Sequence, residues 1–394
     1  MFFDSSLEWN WQIFDFETAT FGAPLLVFSS AIFWREKLFE SMHIPIDKFL
    51  RCMHRIETGY RATISYHNST HATDVLHGAY VFSHCEILQN NLSDLERVAL
   101  YFAASIHDHQ HPGVSNVFLI AKQDPLAVLY SDRSVLEQHH LASAFAVLNS
   151  PECNFTADWD PATRKSFRDL VIELVLATDL KLQAELMTVW KTRVECFDVR
   201  LSTDRTMMLK LIMKASDVAN PSKELPIYRE WIERIMQEFF EQGDEERRLG
   251  LPISPYCDSA QPNLPGSQVG FMTWIVLPLY EAIHQVMPLP VQIGQLRSSF
   301  EYWKATQAAA QATAAAAAAV VSPSQIPEEG KQPKEKPNKF DEPLSPVIVR
   351  SNKNYSSDSN DSEDDAAVQS SSTTGVTQAL LPDRIPSLTQ GPGR

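Results

Sequence analysis

Residues 93–113 decide the fold class of this chain: Ser-Asp-Leu-Glu-Arg-Val-Ala-Leu-Tyr-Phe-Ala-Ala-Ser-Ile-His-Asp-His-Gln-His-Pro-Gly. Ser93 and Glu96 form a capping-box pattern, in which hydroxyl and carboxylate satisfy each other's free backbone amides at a helix start. Apolar residues then recur at intervals of three and four, as on the buried face of a helix: Leu95, Val98, Ala99, Phe102, Ala103 and Ile106. The Pro112-Gly113 pair stops a helix, so the stretch predicts one that delivers His107 and Asp108 at its C-terminal end.

The same helical period recurs along most of the chain. It predicts a helix over 227–242 that stops at Gly243, and another over 203–217 that ends at Asp217. The strict alternation typical of strands is hard to find. We therefore expect an all-α fold, a compact multi-helix domain over residues 1–304.

The composition changes near residue 305. A polyalanine run is followed by Pro, Ser, Lys and Glu without periodicity, and residues 356–365 are an acidic serine cluster. A segment of this composition cannot bury enough apolar surface to fold. The sequence predicts a disordered low-complexity tail over 305–394.

Charge and cysteine usage exclude several protein classes. The chain has 34 Lys+Arg against 49 Asp+Glu, a net charge of −15, which argues against a nucleic-acid partner because phosphate backbones need a basic face. The five cysteines form no CxxC pair. No apolar run reaches the roughly 18 residues of a membrane span, and the N-terminus lacks signal-peptide features. We expect a cytoplasmic protein without a membrane span.

Histidine is the most unevenly distributed residue. Of twelve, nine lie between His67 and His140, which points to a metal site or to acid–base chemistry. His67 and His71 have the i, i+4 spacing of one helix face. That pair alone fits structural histidines as well as ligands, but His107-Asp108 and the distant Asp217 favour a metal site.

Several motifs occur in order, and together they identify a family. They are Tyr66-His67-Asn68-x-x-His71-Ala72-x-Asp74, His107-Asp108-x-x-His111-Pro112-Gly113, Glu137-x-His139-His140, Ala177-Thr178-Asp179, Lys214-Ala215-Ser216-Asp217-x-x-Asn220-Pro221, Glu238-Phe239-Phe240-x-Gln242-Gly243-Asp244 and Ser267-Gln268-Val269-Gly270-Phe271. From about residue 7 to 290 the chain resembles the catalytic domain of class I 3′,5′-cyclic nucleotide phosphodiesterases, most closely the cAMP-preferring members. The resemblance implies the all-α HD-type fold of that family.

The resemblance also implies a metal centre and a proton donor. It places Zn²⁺ on His71, His107, Asp108 and Asp217, and a second ion, Mg²⁺ or Mn²⁺, on Asp108. His67 is then the general acid for the leaving oxygen, kept charged by a carboxylate that the resemblance assigns to Glu137. His111 and Thr178 match positions that hold metal-bound waters, and Asp74 matches one that orients a ligand. For Thr178 and Asp74, capping or turn structure is the alternative.

A further set of residues is implied for the substrate. Gln268 matches the purine-binding glutamine and Phe271 the ring that stacks on the base, with Ile235 and Phe239 on the other side. Tyr66 also belongs to a family motif and is counted with the substrate residues. A glutamine amide can serve adenine or guanine by flipping unless neighbours fix it. Tyr228 matches a residue that fixes it in adenosine-preferring members, and Asn220 is typical of those members, which favours cAMP.

The function expected from the sequence is metal-dependent hydrolysis of the cyclic phosphodiester of cAMP to 5′-AMP, in cyclic nucleotide signalling. A dual-specificity or cGMP-preferring phosphodiesterase is the first alternative. A weakly active nucleotide-binding scaffold is the second, favoured only by Gln110, which stands where the family usually has an acidic residue. The sequence leaves the oligomeric state open.

Overall fold

The helices of the computed structural model follow the apolar pattern of the sequence. The structure describes residues 4–321, with side chains through residue 315, and within these residues all regular elements are helical. The α-helices are α1 (Ile13–Ala19), α2 (Pro24–Arg35), α3 (Leu38–Ser41), α4 (Ile46–Gly59), α5 (Ser69–Ser83), α6 (Glu86–Gln89), α7 (Asp94–Ile106), α8 (Asn116–Ala121), α9 (Pro125–Leu129), α10 (Val135–Leu148), α11 (Pro161–Leu176), α12 (Gln183–Arg193), α13 (Ser202–Asp217), α14 (Leu225–Leu249), α15 (Leu264–Phe271), α16 (Leu277–His284) and α17 (Pro290–Val321). The all-α expectation is confirmed.

Helix α7 begins and ends as its sequence predicts. The Ser93 amide donates to Glu96 Oε2 at 2.8 Å, and the Glu96 amide donates to Ser93 Oγ at 3.3 Å, which completes the capping box. The helix ends at Ile106, so His107 and Asp108 follow it directly. Its sequence therefore places two candidate ligands at a helix end.

The α14 prediction is wrong at its C-terminal end. The helix continues through Gly243 to Leu249 and is capped by Gly250, whose φ of 70° lies in the left-handed region. Gly243 serves a different purpose: a Cβ there would lie 1.8 Å from the carbonyl oxygen of Cys257. A loop packs onto the helix at this point, and only glycine leaves room for it.

The prediction that one helix carries both His67 and His71 is also wrong. Helix α5 begins at Ser69, and the Asn68 side chain caps it by accepting hydrogen bonds from the amides of Thr70 (3.0 Å) and His71 (3.3 Å). His67 thus precedes the helix. An asparagine between the two histidines was the N-cap signal that the i, i+4 interpretation overlooked.

Helices α5 and α7 lie at the centre of the core. Helix α7 packs against α5 and α11, and α13 packs against α5. Gly78 of α5 approaches Ser216 of α13 so closely that an added Cβ would meet it at 3.0 Å. This packing brings together the start of α5, the end of α7 and the end of α13, where His71, His107 and Asp217 are found.

The described residues belong to one compact unit, Met1–Ser324. Helix α17 crosses the predicted boundary at 304/305, so the division into 1–304 and 305–394 stays a prediction. The predicted tail from residue 322 onward lies outside the described residues. In the part that the structure describes, no single helix is long and apolar enough to span a membrane; the pair α1 and α2, bent by 100°, passes that test jointly by length and composition.

Candidate active site

Four predicted ligands converge on one point. Nε2 of His71 lies 3.2 Å from Asp217 Oδ1 and 3.5 Å from Asp108 Oδ2, while Nε2 of His107 lies 3.1 Å from Asp108 Oδ2 and 3.3 Å from Asp217 Oδ1. The two histidine nitrogens are 3.3 Å apart. Both imidazoles are buried and both carboxylates half-buried. The structure therefore brings together all four residues of the predicted metal set.

The spacing and tautomers of this set fit a bound cation. Four donors with bonds of about 2.1 Å to one ion lie about 3.4 Å apart at tetrahedral angles, close to the observed separations. Nδ1 of His107 donates to the Ala104 carbonyl at 2.9 Å, which leaves Nε2 with its lone pair toward the cluster. Two histidine nitrogens that point at each other over 3.3 Å have no better partner than a metal ion.

A second histidine group adjoins Asp108 on the other side. Nε2 of His140 lies 3.5 Å from Asp108 Oδ1, and the ligand atoms of Asp108, His111 and His140 are within 4.8 Å of one another. Nδ1 of His140 donates to the His109 carbonyl at 2.8 Å, so its Nε2 is again the available nitrogen. The sequence motifs gave His140 no role; the structure places it beside Oδ1 of Asp108, one of the four predicted ligands.

His67, the predicted proton donor, is paired with Glu238 through Nδ1. Its ring stacks on His111 with centroids 4.0 Å apart. Burial alone would lower the pKa of His67, but the Glu238 carboxylate outweighs it and raises the pKa to about 9. Burial likewise opposes ionisation of Glu238, but the charge of His67 holds its pKa at about 2. His67 is thus an imidazolium at neutral pH.

The predicted partner of His67 is wrong. Glu137 is buried elsewhere and accepts hydrogen bonds from Nδ2 of Asn116 at 3.0 and 3.3 Å. Burial and the nearby Asp179 charge raise the pKa of Glu137 to about 7. The order of motifs could not reveal the true partner, because that partner comes from α14. The sequence did contain one signal for Glu238. It lies seven residues after Trp231 and so on the same apolar face of α14, and a carboxylate buried there needs a charged or hydrogen-bonding partner.

Thr178 and Asp74 have structural partners. The Thr178 hydroxyl donates to the Val175 carbonyl at 2.8 Å, as in the turn alternative. Asp74 Oδ1 lies 3.4 Å from Nζ of the buried Lys223. No hydrogen bond joins Asp74 to His71, whose Nδ1 has no partner among the described residues, and the orienting role of Asp74 stays a prediction.

The predicted purine residues lie on two helices joined by one hydrogen bond. The Tyr228 hydroxyl, on α14, donates to Oε1 of Gln268, on α15, at 2.6 Å. Nε2 of Gln268 lies 3.3 Å from the Ser267 hydroxyl. Both Tyr228 and Gln268 are buried, and the contact joins the amide on α15 to α14.

The other predicted substrate residues divide into two groups. Ile235, Phe239 and Phe271 are half-buried at the edge of the core, so each exposes part of its apolar side chain. Tyr66 is buried beside His71, with ring centroids 4.6 Å apart, and its hydroxyl accepts from Nδ2 of Asn220 at 2.6 Å. In this structure the Asn220 side chain is therefore hydrogen-bonded to Tyr66.

The geometry can be compared with known proteins. Residues 66–294, more than half of the chain, match the family model of the 3′5′-cyclic nucleotide phosphodiesterases. The chain belongs to this family. All the residues of the metal set and Gln268 lie inside the matched range.

Curated phosphodiesterases match over a longer stretch. A probable 3′,5′-cyclic phosphodiesterase pde-3 from Caenorhabditis elegans is 38% identical over 312 residues, which cover 73% of this chain and 46% of that protein. The 3′,5′-cyclic-AMP phosphodiesterase 4C of Mus musculus is 40% identical over 282 residues, 70% of this chain and 41% of that protein. The Rattus norvegicus protein of the same name is 39% identical, over 70% of this chain and 53% of that protein. The chain spans about half the length of these phosphodiesterases.

Proposed function

We propose that this chain hydrolyses the cyclic phosphodiester of cAMP to 5′-AMP in cyclic nucleotide signalling. The observation that carries the proposal is the position of His67, an imidazolium held by Glu238, beside the cluster of His71, His107, Asp108 and Asp217. A proton donor next to a cation site is what the cleavage of a phosphodiester requires.

The cofactors belong to the same proposal. The tetrahedral spacing and the mixed imidazole–carboxylate set of His71, His107, Asp108 and Asp217 suit Zn²⁺. The outer oxygen of Asp108 suits a second, harder ion, Mg²⁺ or Mn²⁺, with His111 and His140 close to it. Held by these residues, two such ions would supply positive charge for the phosphoryl oxygens and a lowered pKa for a bound water.

The protein's own contribution to the reaction is a proton at Nε2 of His67. Because Nδ1 is bound by Glu238, only Nε2 is available to protonate the 3′-oxygen as it leaves. Glu238 Oε2 also accepts from the amides of Tyr66 (3.1 Å) and His67 (3.2 Å), which fixes the loop that carries the imidazole. The donor is thereby oriented before substrate binds.

Preference for cAMP rests on Tyr228. Its hydroxyl donates to Gln268 Oε1, so the amide cannot flip freely. For a purine held in one orientation, a fixed amide can satisfy only one of the two edge patterns, since adenine and guanine reverse donor and acceptor. The relatives named as cyclic-AMP phosphodiesterases support adenine as the base. A cytoplasmic location fits too, because all five cysteines are free thiols.

The test is hydrolysis of cAMP and cGMP, measured separately on the purified full chain with Zn²⁺ and Mg²⁺. We expect 5′-AMP as product, with kcat/KM for cAMP exceeding that for cGMP. Similar values for both nucleotides would establish the dual-specificity alternative. Turnover of neither nucleotide, with metal bound by elemental analysis, would leave only the scaffold alternative and overturn the proposal.

The variant His67→Ala separates the proton donor from the ligands. It should lower kcat by about 10²- to 10⁴-fold, the usual contribution of a general acid, without changing metal content. Loss of metal from this variant would mean that His67 is a ligand and not the acid.

A further inference from the structure

The helix that carries Gln268 continues into a π-helical turn. Helix α15 ends at Phe271, and Met272–Val276 follow with i→i+5 hydrogen bonding, a segment called the π-turn below. The cause lies in Pro278, which has no amide proton and whose ring clashes with the carbonyl four residues earlier, that of Trp274. A regular helix therefore cannot pass this point, and the wider turn absorbs the break.

One side chain from a distant part of the chain holds this turn. Gln183, the first residue of α12, donates from Nε2 to the Ile275 carbonyl at 2.8 Å. Gln183 is only 5% exposed, and its Oε1 has no hydrogen-bond partner among the described residues. The buried amide of Gln183 therefore makes one hydrogen bond, to the carbonyl of Ile275. Ile275 directly follows Trp274, whose carbonyl cannot receive a hydrogen bond from Pro278.

Helix α12 has a second tether further from the purine residues. Trp190 is 1% exposed, and its Nε1 donates to the Ala282 carbonyl in α16 at 3.2 Å. The two contacts are alike in kind, a side-chain N–H on a main-chain carbonyl, but only Gln183 acts on the turn adjoining α15. The pair provides a natural comparison.

We propose that Gln183 is a positioning residue for nucleotide recognition: through the Ile275 carbonyl it holds the π-turn and so sets the position of Gln268 and Phe271. This inference rests on the proposed function. The Tyr228–Gln268 hydrogen bond joins two separate helices, and hydrogen bonds weaken steeply as distance and angle depart from their optimum. When the turn loosens, α15 shifts against α14, and the amide loses both its fixed direction and its alignment with the base.

The first test variant is Gln183→Met, which keeps the length and removes the donor. We expect KM for cAMP to rise about fivefold, the value of one ordinary hydrogen bond, with kcat nearly unchanged because His67 and the metal cluster stay in place. The ratio of kcat/KM for cAMP over cGMP should fall as well. Trp190→Phe is the matched control, expected to lower the melting temperature without altering KM or the ratio.

The second variant is Gln183→Glu, which provides a readout that a purely structural role would not give. A buried glutamic acid has a raised pKa, and its protonated form can donate to Ile275 whereas the carboxylate cannot. We expect the KM of this variant, divided by that of the wild type at the same pH, to approach one near pH 6 and to rise toward pH 8.

The outcomes separate the two proposals. A wild-type chain that hydrolyses neither nucleotide contradicts the proposed function itself. An active wild type with Gln183→Met and Trp190→Phe indistinguishable in KM and nucleotide ratio overturns the positioning role. So does a Gln183→Glu variant whose relative KM does not change with pH, and this result decides the matter if Gln183→Met fails to fold.

Discussion

The Glu238 carboxylate binds Nδ1 of His67, although 171 residues separate the two in sequence. Its second oxygen binds the backbone amides of Tyr66 and His67. One buried carboxylate thus sets both the charge of the imidazole and the position of the loop that bears it.

Replacing Glu238 by Gln should move the pH dependence of the reaction. In the wild type the pKa of about 9 keeps His67 protonated through neutrality, so kcat should decline only as pH rises through about 9. Without the carboxylate, burial is opposed by the more weakly acting charges of Asp108 and Asp217, so the pKa of His67 falls from about 9. We expect a pH–rate profile whose alkaline limb begins at a lower pH than the wild-type value of about 9, and a kcat below that of the wild type at about pH 8.

Glu233→Gln is the control for this charge change, because Glu233 is exposed on the same helix. It should leave the profile unchanged. An alkaline limb that stays near 9 in Glu238→Gln would show that another group keeps His67 charged. The His67–Glu238 ion pair also contributes to the free energy of unfolding. Because folding raises the pKa of His67 from 6.5 to about 9, the contribution of His67 is full below pH 6.5 and is lost as the pH rises through about 9.

Removing one predicted ligand from the four-residue cluster should abolish metal binding there. Asp217→Asn retains the shape but loses the charge that faces both histidines. After dialysis, elemental analysis should find the tightly bound ion of the wild type missing from the variant. A chelator should lower the melting temperature of the wild type and leave that of the variant unchanged, since a bound ligand stabilises only the folded state.

Asp244→Asn, an exposed carboxylate on α14, is the matched control for metal content. It should bind as much metal as the wild type and respond equally to the chelator. Equal metal in Asp217→Asn would contradict the assignment of this residue as a ligand.

Removing the Tyr228 hydroxyl should weaken the discrimination between nucleotides. In Tyr228→Phe the Gln268 amide loses this hydrogen bond and is free to flip. The ratio of kcat/KM between the preferred and the other nucleotide should therefore fall about tenfold, as expected for one hydrogen bond of roughly 1.4 kcal/mol. The measurement is the ratio of kcat/KM for cAMP and cGMP. Tyr280→Phe is the control: its buried hydroxyl donates to the Ala215 carbonyl at 2.8 Å and should affect stability alone. An unchanged ratio in Tyr228→Phe would mean that other contacts fix Gln268.

Two glycine-to-alanine variants should have opposite effects on stability. At Gly243 the new Cβ would overlap the Cys257 carbonyl, so we expect a loss of about 1–3 kcal/mol in the free energy of unfolding. At Gly294, in the exposed part of α17, a Cβ meets nothing within 4 Å, so alanine should stabilise by about 0.5–1 kcal/mol. Urea unfolding measures the free energy of unfolding of both variants. A Gly243→Ala variant as stable as the wild type would mean that the loop 253–258 can move away from α14 at little cost.

The sequence predicted those site residues whose position depends on local signals. The end of α7 and the end of α13 follow from capping and periodicity, so the metal set of His107, Asp108 and Asp217 was predictable. The pairing of His67 with Glu238 was not, because it depends on how α14 packs against the loop before α5. Gly243 misled for the same reason: its use is a contact with a loop, and helix periodicity carries no information about such a contact.

Helix α14 carries Tyr228 near one end and Glu238 ten residues later. At 1.5 Å per residue the two lie about 15 Å apart on one rigid rod. In the proposed function, recognition of the base and delivery of the proton would both depend on this helix, so a tilt of α14 would change both at once. A ligand that bound elsewhere on the protein and moved α14 would then change the affinity for the nucleotide and the rate of its hydrolysis together, without contacting the predicted metal site.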